Sequence, residues 1–314
     1  MLSVVVPCRN RQNLIVNTIN SLAGIRRFPV EILVVDDHST DSSVAVAQEA
    51  IRRVSAAPGF SGRVVPGPGR GACAARNAGL SAATGEWVLF LDSDDPCEGH
   101  GVEQLCGILA KDEVADVAYG WVWEVDESGK KLHKNGVALE DCANYVFDHH
   151  WHTSGPVYRK SLLDRAGGWD EALTLADDWE FGARARMHAR KIKYADVCVG
   201  SYVHHAGERL IARKFERRKA TSVIRAALKI RANARKLGLL DSHLRQRVWR
   251  RLLVQANELL LHGEIPPSNR VLTACTRQKD DRFVALIAAA LLAVPVRSFR
   301  ASIYSRLRAK GIRG

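Results

Sequence analysis

The chain has 314 residues, 46% of them hydrophobic and 25% charged, an ordinary globular composition that excludes disordered, collagen-like and disulfide-scaffold classes. Its net charge of +12 is unevenly divided: residues 1–206 hold 21 Lys/Arg against 27 Asp/Glu and residues 207–314 hold 25 against 7, so −6 is followed by +18. An acidic front and a basic rear suggest two jobs, the rear one turned toward an anionic partner or surface.

Ser3-Val4-Val5-Val6-Pro7 reads as a buried strand so close to Met1 that no signal peptide is expected. Leu14, Ile15, Ile19 and Leu22 then recur at helical spacing, and Glu31 to Val35 forms a second strand ending in Asp36-Asp37. Asp41 and Ser42 are placed to cap a helix with Val44, Ala47, Ile51 and Val54 on its apolar face, and Val64-Val65 is a short third strand. Gly67, Gly69 and Gly71 make a turn before the Ala-rich segment Ala72 to Ala83; no Gly-Lys-Ser/Thr follows, so it reads as flexibility rather than a phosphate loop. Trp87 to Leu91 runs into Asp92-Ser93-Asp94-Asp95. This alternation predicts a mostly parallel sheet with helices on its faces. Both carboxylate clusters fall just past the ends of buried strands, where open α/β sheets bind ligands.

Further along, Ala115 to Val125 reads as a strand with Trp121 and Trp123 on one face, and Asp126-Glu127-Ser128-Gly129 as a hairpin turn. A loop rich in His and aromatic residues, Tyr145 to His152, reads as surface, followed by a short strand near Pro156-Val157-Tyr158 and a helix ending at Gly167-Gly168. Asp177-Asp178-Trp179-Glu180 opens a helix to about Arg190, and Lys193 to Val203 is a strand leading to His204-His205. Residues 208–260 read as basic and helical. The apolar run Phe283 to Val296 has 14 residues, short of the ~20 that cross a bilayer. Seven scattered cysteines without a C-x-x-C spacing argue against a zinc site and a disulfide framework and for a reducing, cytoplasmic compartment.

Four blocks stand in order: Ser3 to Asn10, then Val34-Val35-Asp36-Asp37-His38-Ser39-Thr40-Asp41, then Ala75-Arg76-Asn77-Ala78-Gly79, then Phe90-Leu91-Asp92-Ser93-Asp94-Asp95. Together they resemble the family-two inverting nucleotide-sugar glycosyltransferases over roughly residues 2–206. Gly167-Gly168-Trp169-Asp170-Glu171 is similar to that family's acceptor-side G-G-F-D-E, and Asp177-Asp178-Trp179 to its E-D-W. The resemblance implies a GT-A fold: a Rossmann-like mixed sheet with helices on both faces, here followed by a basic helical C-terminal region. The expected division is a catalytic domain at 1–206, with nucleotide-sugar binding at about 1–98 and the acceptor side at about 99–206, and a basic region at 207–314.

The resemblance also implies roles. Asp37 would accept from N3–H of uracil, with Pro7 and Arg9 flanking the base; a plain polar turn and helix cap is the alternative for Asp36 and Asp37. Asp94 would bind Mn²⁺ or Mg²⁺ bridging the diphosphate, hard oxygen donors suiting such ions. Asp92 would contact ribose or sugar, and Arg76 would reach phosphate or a sugar-side carboxylate. Asp178 would be the general base for the acceptor hydroxyl, with Asp177 as runner-up because Asp stands where the family has Glu. His205, ahead of His204, would complete the metal site, although Glu208-Arg209 departs from the family's continuation. The expected donor is a UDP-sugar, and the acceptor a glycan, lipid-linked or other hydroxyl. An anionic membrane surface is the expected partner of the basic rear, on the inner face. Nucleic acid is disfavoured by sparse aromatics there, and a homo-oligomer is left open. A non-catalytic sugar-nucleotide-binding module and a nucleotidyltransferase are the alternatives. The first lacks a reason for so complete a set of carboxylates, and the second lacks its Gly-rich signature after the first strand.

Overall fold

The computed structural model describes residues 1–141, 145–148, 150–204 and 217–261. His205 and the apolar run from Phe283 to Val296 lie outside them.

Strand β1 (Leu2–Cys8) is buried along its whole length, as a continuous apolar run must be when both sheet faces are covered. Strands β2 (Val30–Asp36), β3 (Phe60–Pro66) and β4 (Trp87–Phe90) run parallel to it, with Val4 opposite Ile32 on one side and Leu89 on the other. Alternation along β1 feeds two cores. Val4 and Val6 pack with Ile15, Ile19 and Leu105 on one face, and Val5 packs with Phe90, Trp169 and Phe181 on the other. The helices that cover these faces are α1 (Ile15–Ser21), α2 (Ser43–Val54), α3 (Ala72–Ala82), α4 (Gly99–Lys111), α5 (Lys160–Ala166) and α6 (Asp177–His188).

The sheet is mixed. Its order is β3-β2-β1-β4-β7-β5-β6, where β5 is Val117–Asp126, β6 is Lys131–Asn135 and β7 is Pro156–Arg159; β8 (Ile192–His204) pairs with β5. Strand β7 enters antiparallel to both β4 and β5, while β8 lies parallel to β5 through two register shifts near Trp121. The third strand is longer than the Val64-Val65 pair suggests, because Phe60 to Pro66 follow the register of β2 as a half-exposed edge. Of the two expected caps on α2, Asp41 acts: its Oδ1 accepts the Ser43 N–H at 2.9 Å, whereas the Ser42 side chain makes no capping bond. The hairpin turn after β5 is held by Asp126, whose Oδ1 accepts the N–H groups of Ser128 and Lys130.

The chain divides into two compact units, the first Met1–Ala172 with Asp177–Leu210, the second Leu173–Ala176 with Ile211–Gly314. The described helices of the second unit are α7 (Arg217–Lys236) and α8 (Ser242–Leu261), which pack on each other. Among the described residues no helix is long and apolar enough to cross a membrane.

Candidate functional site

Because β1, β2 and β4 are parallel and in register, their C-terminal ends deliver the loops after Cys8, Asp36 and Phe90 to one edge of the sheet. Pro7 is buried within β1, and Arg9 just beyond it is exposed. Asn10 laces the first two loops together: its N–H donates to Ser39 Oγ at 3.0 Å and its Oδ1 accepts the Thr40 N–H at 2.8 Å. Three described non-glycine residues have left-handed φ: Asn10 at 53°, His38 at 63° and Ala176 at 59°. Each sits one position from a candidate residue (Arg9, Asp37 and Asp177). Such strain clusters where the backbone must aim side chains at a ligand.

Asp37 is 3% exposed. Its Oδ1 accepts the Gly69 N–H at 2.7 Å and its Oδ2 the Gly71 N–H at 2.8 Å. The glycine turn is therefore a backbone clamp on this carboxylate rather than loose chain. Gly69 and Gly71 take φ of 71° and 98°, and a side chain at Gly69 would run into the His38 ring. Asp36 is less enclosed and faces the Ser39 N–H at 3.3 Å.

Arg76, on the first turns of α3, joins two of the acidic blocks. Its Nη2 donates to Asp92 Oδ1 at 2.7 Å and its Nη1 to Asp177 Oδ2 at 3.0 Å, while the guanidinium lies 4.4 Å over the Trp169 ring. Burial would lower its pKa, but the two carboxylates more than offset this and hold the proton tighter. The next residue locks the Gly167-Gly168-Trp169 block. Asn77 Oδ1 accepts the Trp169 N–H at 2.7 Å and its Nδ2 donates to the Trp169 carbonyl at 2.9 Å, leaving no room for a side chain on Gly168.

In the Asp92-Ser93-Asp94-Asp95 block the three carboxylates part company. Asp92 goes to Arg76. Asp94 is partly exposed, with Arg11 Nη2 at 3.6 Å. Asp95 is buried; its Oδ1 accepts the Val203 N–H at 3.0 Å, which ties the block to β8. Its Oδ2 has no hydrogen-bond partner among the described residues and lies 3.7 Å from His152 Nε2. Burial, reinforced by Asp92 and Asp94, pushes the Asp95 pKa well up. Burial likewise lowers that of His152, whose Nδ1 is 2.9 Å from Ser154 Oγ.

Asp177 and Asp178 occupy the first turn of α6, where the macrodipole favours carboxylates. Their environments differ. Asp177 meets Arg76 and the Cys73 thiol at 3.3 Å, yet burial, with repulsion from Asp178, raises its pKa. Asp178 Oδ1 accepts the Trp179 N–H at 2.7 Å and its Oδ2 lies 3.0 Å from His150 Nε2. Burial pushes Asp178 up too, but the imidazole prevails and holds it low. The stretch from Tyr145 to His152 is thus not simply surface. Trp151 is buried, His150 faces Asp178 and His152 faces Asp95. Only the bare proximity of His to aromatic residues marked it in the sequence, with no spacing that names a partner.

His204 Nε2 is 2.9 Å from Glu124 Oε2, and Glu124 also meets His133 Nε2 at 2.8 Å. Among the described residues no group of three His, Cys, Asp or Glu side chains is arranged to hold a metal ion; His205 is outside the described residues.

The sequence model of Glycosyl transferase family 2 matches residues 3–165. The glycosyltransferase EpsJ of Bacillus subtilis is 25% identical over 215 residues, covering 65% of this chain and 60% of EpsJ, so the chain spans less than two thirds of that relative. Among solved structures, residues 1–349 of S. aureus TarS in complex with UDP superpose with a TM-score of 0.66 at 21% identity, over 91% of this chain and 82% of that one. The mannosyltransferase PcManGT of Pyrobaculum calidifontis, solved with GDP-Man and Mn²⁺, gives 0.55 at 20% identity over 93% and 85%. The mixed sheet with helices on both faces is the GT-A fold of these enzymes.

Proposed function

The chain belongs to glycosyl transferase family 2, and from that membership we propose that it moves a sugar from a nucleoside-diphosphate sugar to an acceptor hydroxyl with inversion. The observation that carries this is Arg76, whose guanidinium spans Asp92 and Asp177 and so joins the donor-side and acceptor-side blocks in one site. A UDP-sugar is the proposed donor, since TarS, on the same fold, binds UDP and UDP-GlcNAc. Asp37, clamped at the end of β2, would read the uracil N3–H, with Pro7 and Arg9 bordering the base.

Asp178 is the proposed general base. Part-exposed on the first turn of α6, it would meet the acceptor hydroxyl there, with His150 Nε2 3.0 Å from its Oδ2 holding its pKa low. Asp177 is committed to Arg76 and acts by placing it. Asp92, the other arm of that bridge, would face the ribose or sugar.

A divalent ion is implied by the family; among the described residues no three-ligand group is assembled for it, and Asp94 is the donor proposed. Asp94 is a partly exposed hard oxygen donor that already draws a cationic group, Arg11 Nη2, to 3.6 Å. Asp94 would hold the ion, with His205 as the further expected ligand and the diphosphate and water supplying the rest, the usual habit of Mg²⁺. When bound, Mn²⁺ or Mg²⁺ neutralises charge on the departing diphosphate. The acceptor is proposed as a glycan or lipid-linked hydroxyl, and the basic rear as the part that meets an anionic membrane surface.

The test is a panel of nucleotide-sugars assayed for turnover with Mn²⁺. Asp178→Asn is expected to keep UDP binding and lose at least ~10²-fold in transfer, and Asp94→Ala to lose turnover with the fold intact. Full activity of Asp178→Asn, or a larger loss in Asp177→Asn, would move the base elsewhere; full activity in excess EDTA would remove the ion.

A further inference from the structure

Helices α7 and α8 are joined by Leu237 to Asp241. The turn is tight and well made. The Leu239 N–H reaches back to the Ala234 carbonyl at 2.8 Å, with Gly238 at φ 72° supplying the left-handed step that ends a helix. Asp241 Oδ1 then caps α8 through the Leu244 N–H at 2.7 Å. The two helices pack on each other, with Ile224, Ala227, Ile230 and Ala234 of α7 and Leu244, Val248 and Leu252 of α8 buried, and Leu240 of the turn buried beside them.

Two leucines escape this burial. Leu237 is 38% exposed and Leu239 41%, on either side of Gly238 at the extreme end of the hairpin. The side chains around them are cationic. Arg235, Lys236 and Arg245 are exposed, while Asp241, itself used as a cap, is the one acid between Arg235 and Arg245. Aliphatic tips ringed by cations are what a protein presents to lipid: leucines enter the acyl boundary and Lys/Arg stay at anionic headgroups. A nucleic acid would use the same cations but would gain from aromatic side chains, and residues 235–245 contain none other than His243.

We infer that the α7–α8 turn is a docking tip that seats Leu237 and Leu239 in an anionic bilayer surface, with Arg235, Lys236 and Arg245 against its headgroups. This deepens the proposed membrane partnership of the basic rear by naming the surface that makes it. The association is reversible and salt-sensitive, since two leucines and three cations fall far short of a spanning segment.

The experiment is co-sedimentation of the full chain with vesicles of 70:30 phosphatidylcholine:phosphatidylglycerol and of phosphatidylcholine alone, at low and at 0.5 M salt. Wild type is expected to sediment with the anionic vesicles at low salt only. Leu237→Ser/Leu239→Ser, at exposed positions that should leave the helical circular dichroism unchanged, is expected to weaken binding at least 10-fold. Arg235→Gln/Lys236→Gln is expected to weaken it on the order of 5-fold per charge removed. Undiminished binding of both double variants would overturn the tip while leaving another part of the basic rear as the membrane surface. Absence of wild-type binding would overturn the tip and the membrane reading together. A duplex DNA bound in preference to the vesicles, equally by wild type and the leucine variant, would make the cations a nucleic-acid surface and also overturn the inference.

Discussion

Asp178 carries a conflict that only its neighbours resolve. Burial favours the neutral acid, yet the imidazole of His150, 3.0 Å away, holds the carboxylate low. Removing the imidazole removes the group that favours the charged form, so the Asp178 pKa must rise and a smaller fraction be deprotonated at acid pH. His150→Gln is therefore expected to move the acid limb of kcat/KM to higher pH while leaving the alkaline plateau within a few-fold of wild type; an unmoved limb would separate His150 from the base. Arg76 makes the opposite kind of prediction. It is nearly buried with a carboxylate on each arm, and Arg76→Met strands Asp92 and Asp177 against each other, which should cost about 3 kcal/mol, read as a lower urea midpoint. Arg76→Lys should recover part of that, as one ammonium cannot span both partners. At this scale the acidic blocks were legible because carboxylates past strand ends have little other reason to gather. His150 and His152 were not, since a histidine in a loop names no partner until the chain has folded.

Secondary elements were legible where burial imposed a period. The largely apolar β1 and β2 and the amphipathic α2 announce themselves, whereas the direction of β7 is set by long-range pairing that four residues cannot encode. The same packing creates a joint between elements that no motif marks. Asp116, fully buried at the head of β5, accepts from Arg165 Nη2 at the end of α5 and from the N–H and side chain of Arg190 beyond α6. Burial raises its pKa, but the hydrogen bonds and charge of Arg190 and Arg165 outweigh it and leave the pKa below the ordinary 3.8. A group depressed in the folded state stabilises above its unfolded pKa and loses that contribution as pH falls through the folded value. Asp116→Asn should thus cost about 2 kcal/mol at pH 7. The gap from wild type in urea melts should stay whole down to about pH 5 and narrow below the ordinary 3.8. A gap independent of pH would mean that packing, not charge, makes the joint.

At the scale of the molecule, the charge arithmetic separated an acidic front from a basic rear, but it could not reveal that the chain passes between two units around the candidate base. Leu173–Ala176 groups with the second unit, and Asp177 returns to the first. Two of those four residues, Thr174 and Leu175, are held by one side chain of α7. The buried Ser222 Oγ lies 3.1 Å from the N–H groups of Thr174 and Leu175 and donates to the Leu175 carbonyl at 2.7 Å. Ala176, held at φ 59°, then leads straight into Asp177 and Asp178. No sequence pattern exposes such a link, because a serine in a basic helix looks like any surface residue. Its consequence is local to the second unit: α7 fixes the backbone of the segment that leads into Asp177. Ser222→Ala removes the shared acceptor for two N–H groups and should cost about 1 kcal/mol locally. Transfer is expected to fall about 10-fold, since a base displaced by a fraction of an ångström loses its attack geometry. The dissociation constant for UDP should hold, because Asp37 and its glycine clamp are in the first unit. Ser222→Thr, which keeps the hydroxyl, is expected to restore kcat. Equal losses of UDP affinity and transfer in Ser222→Ala would instead make the serine a structural pin with no bearing on the base.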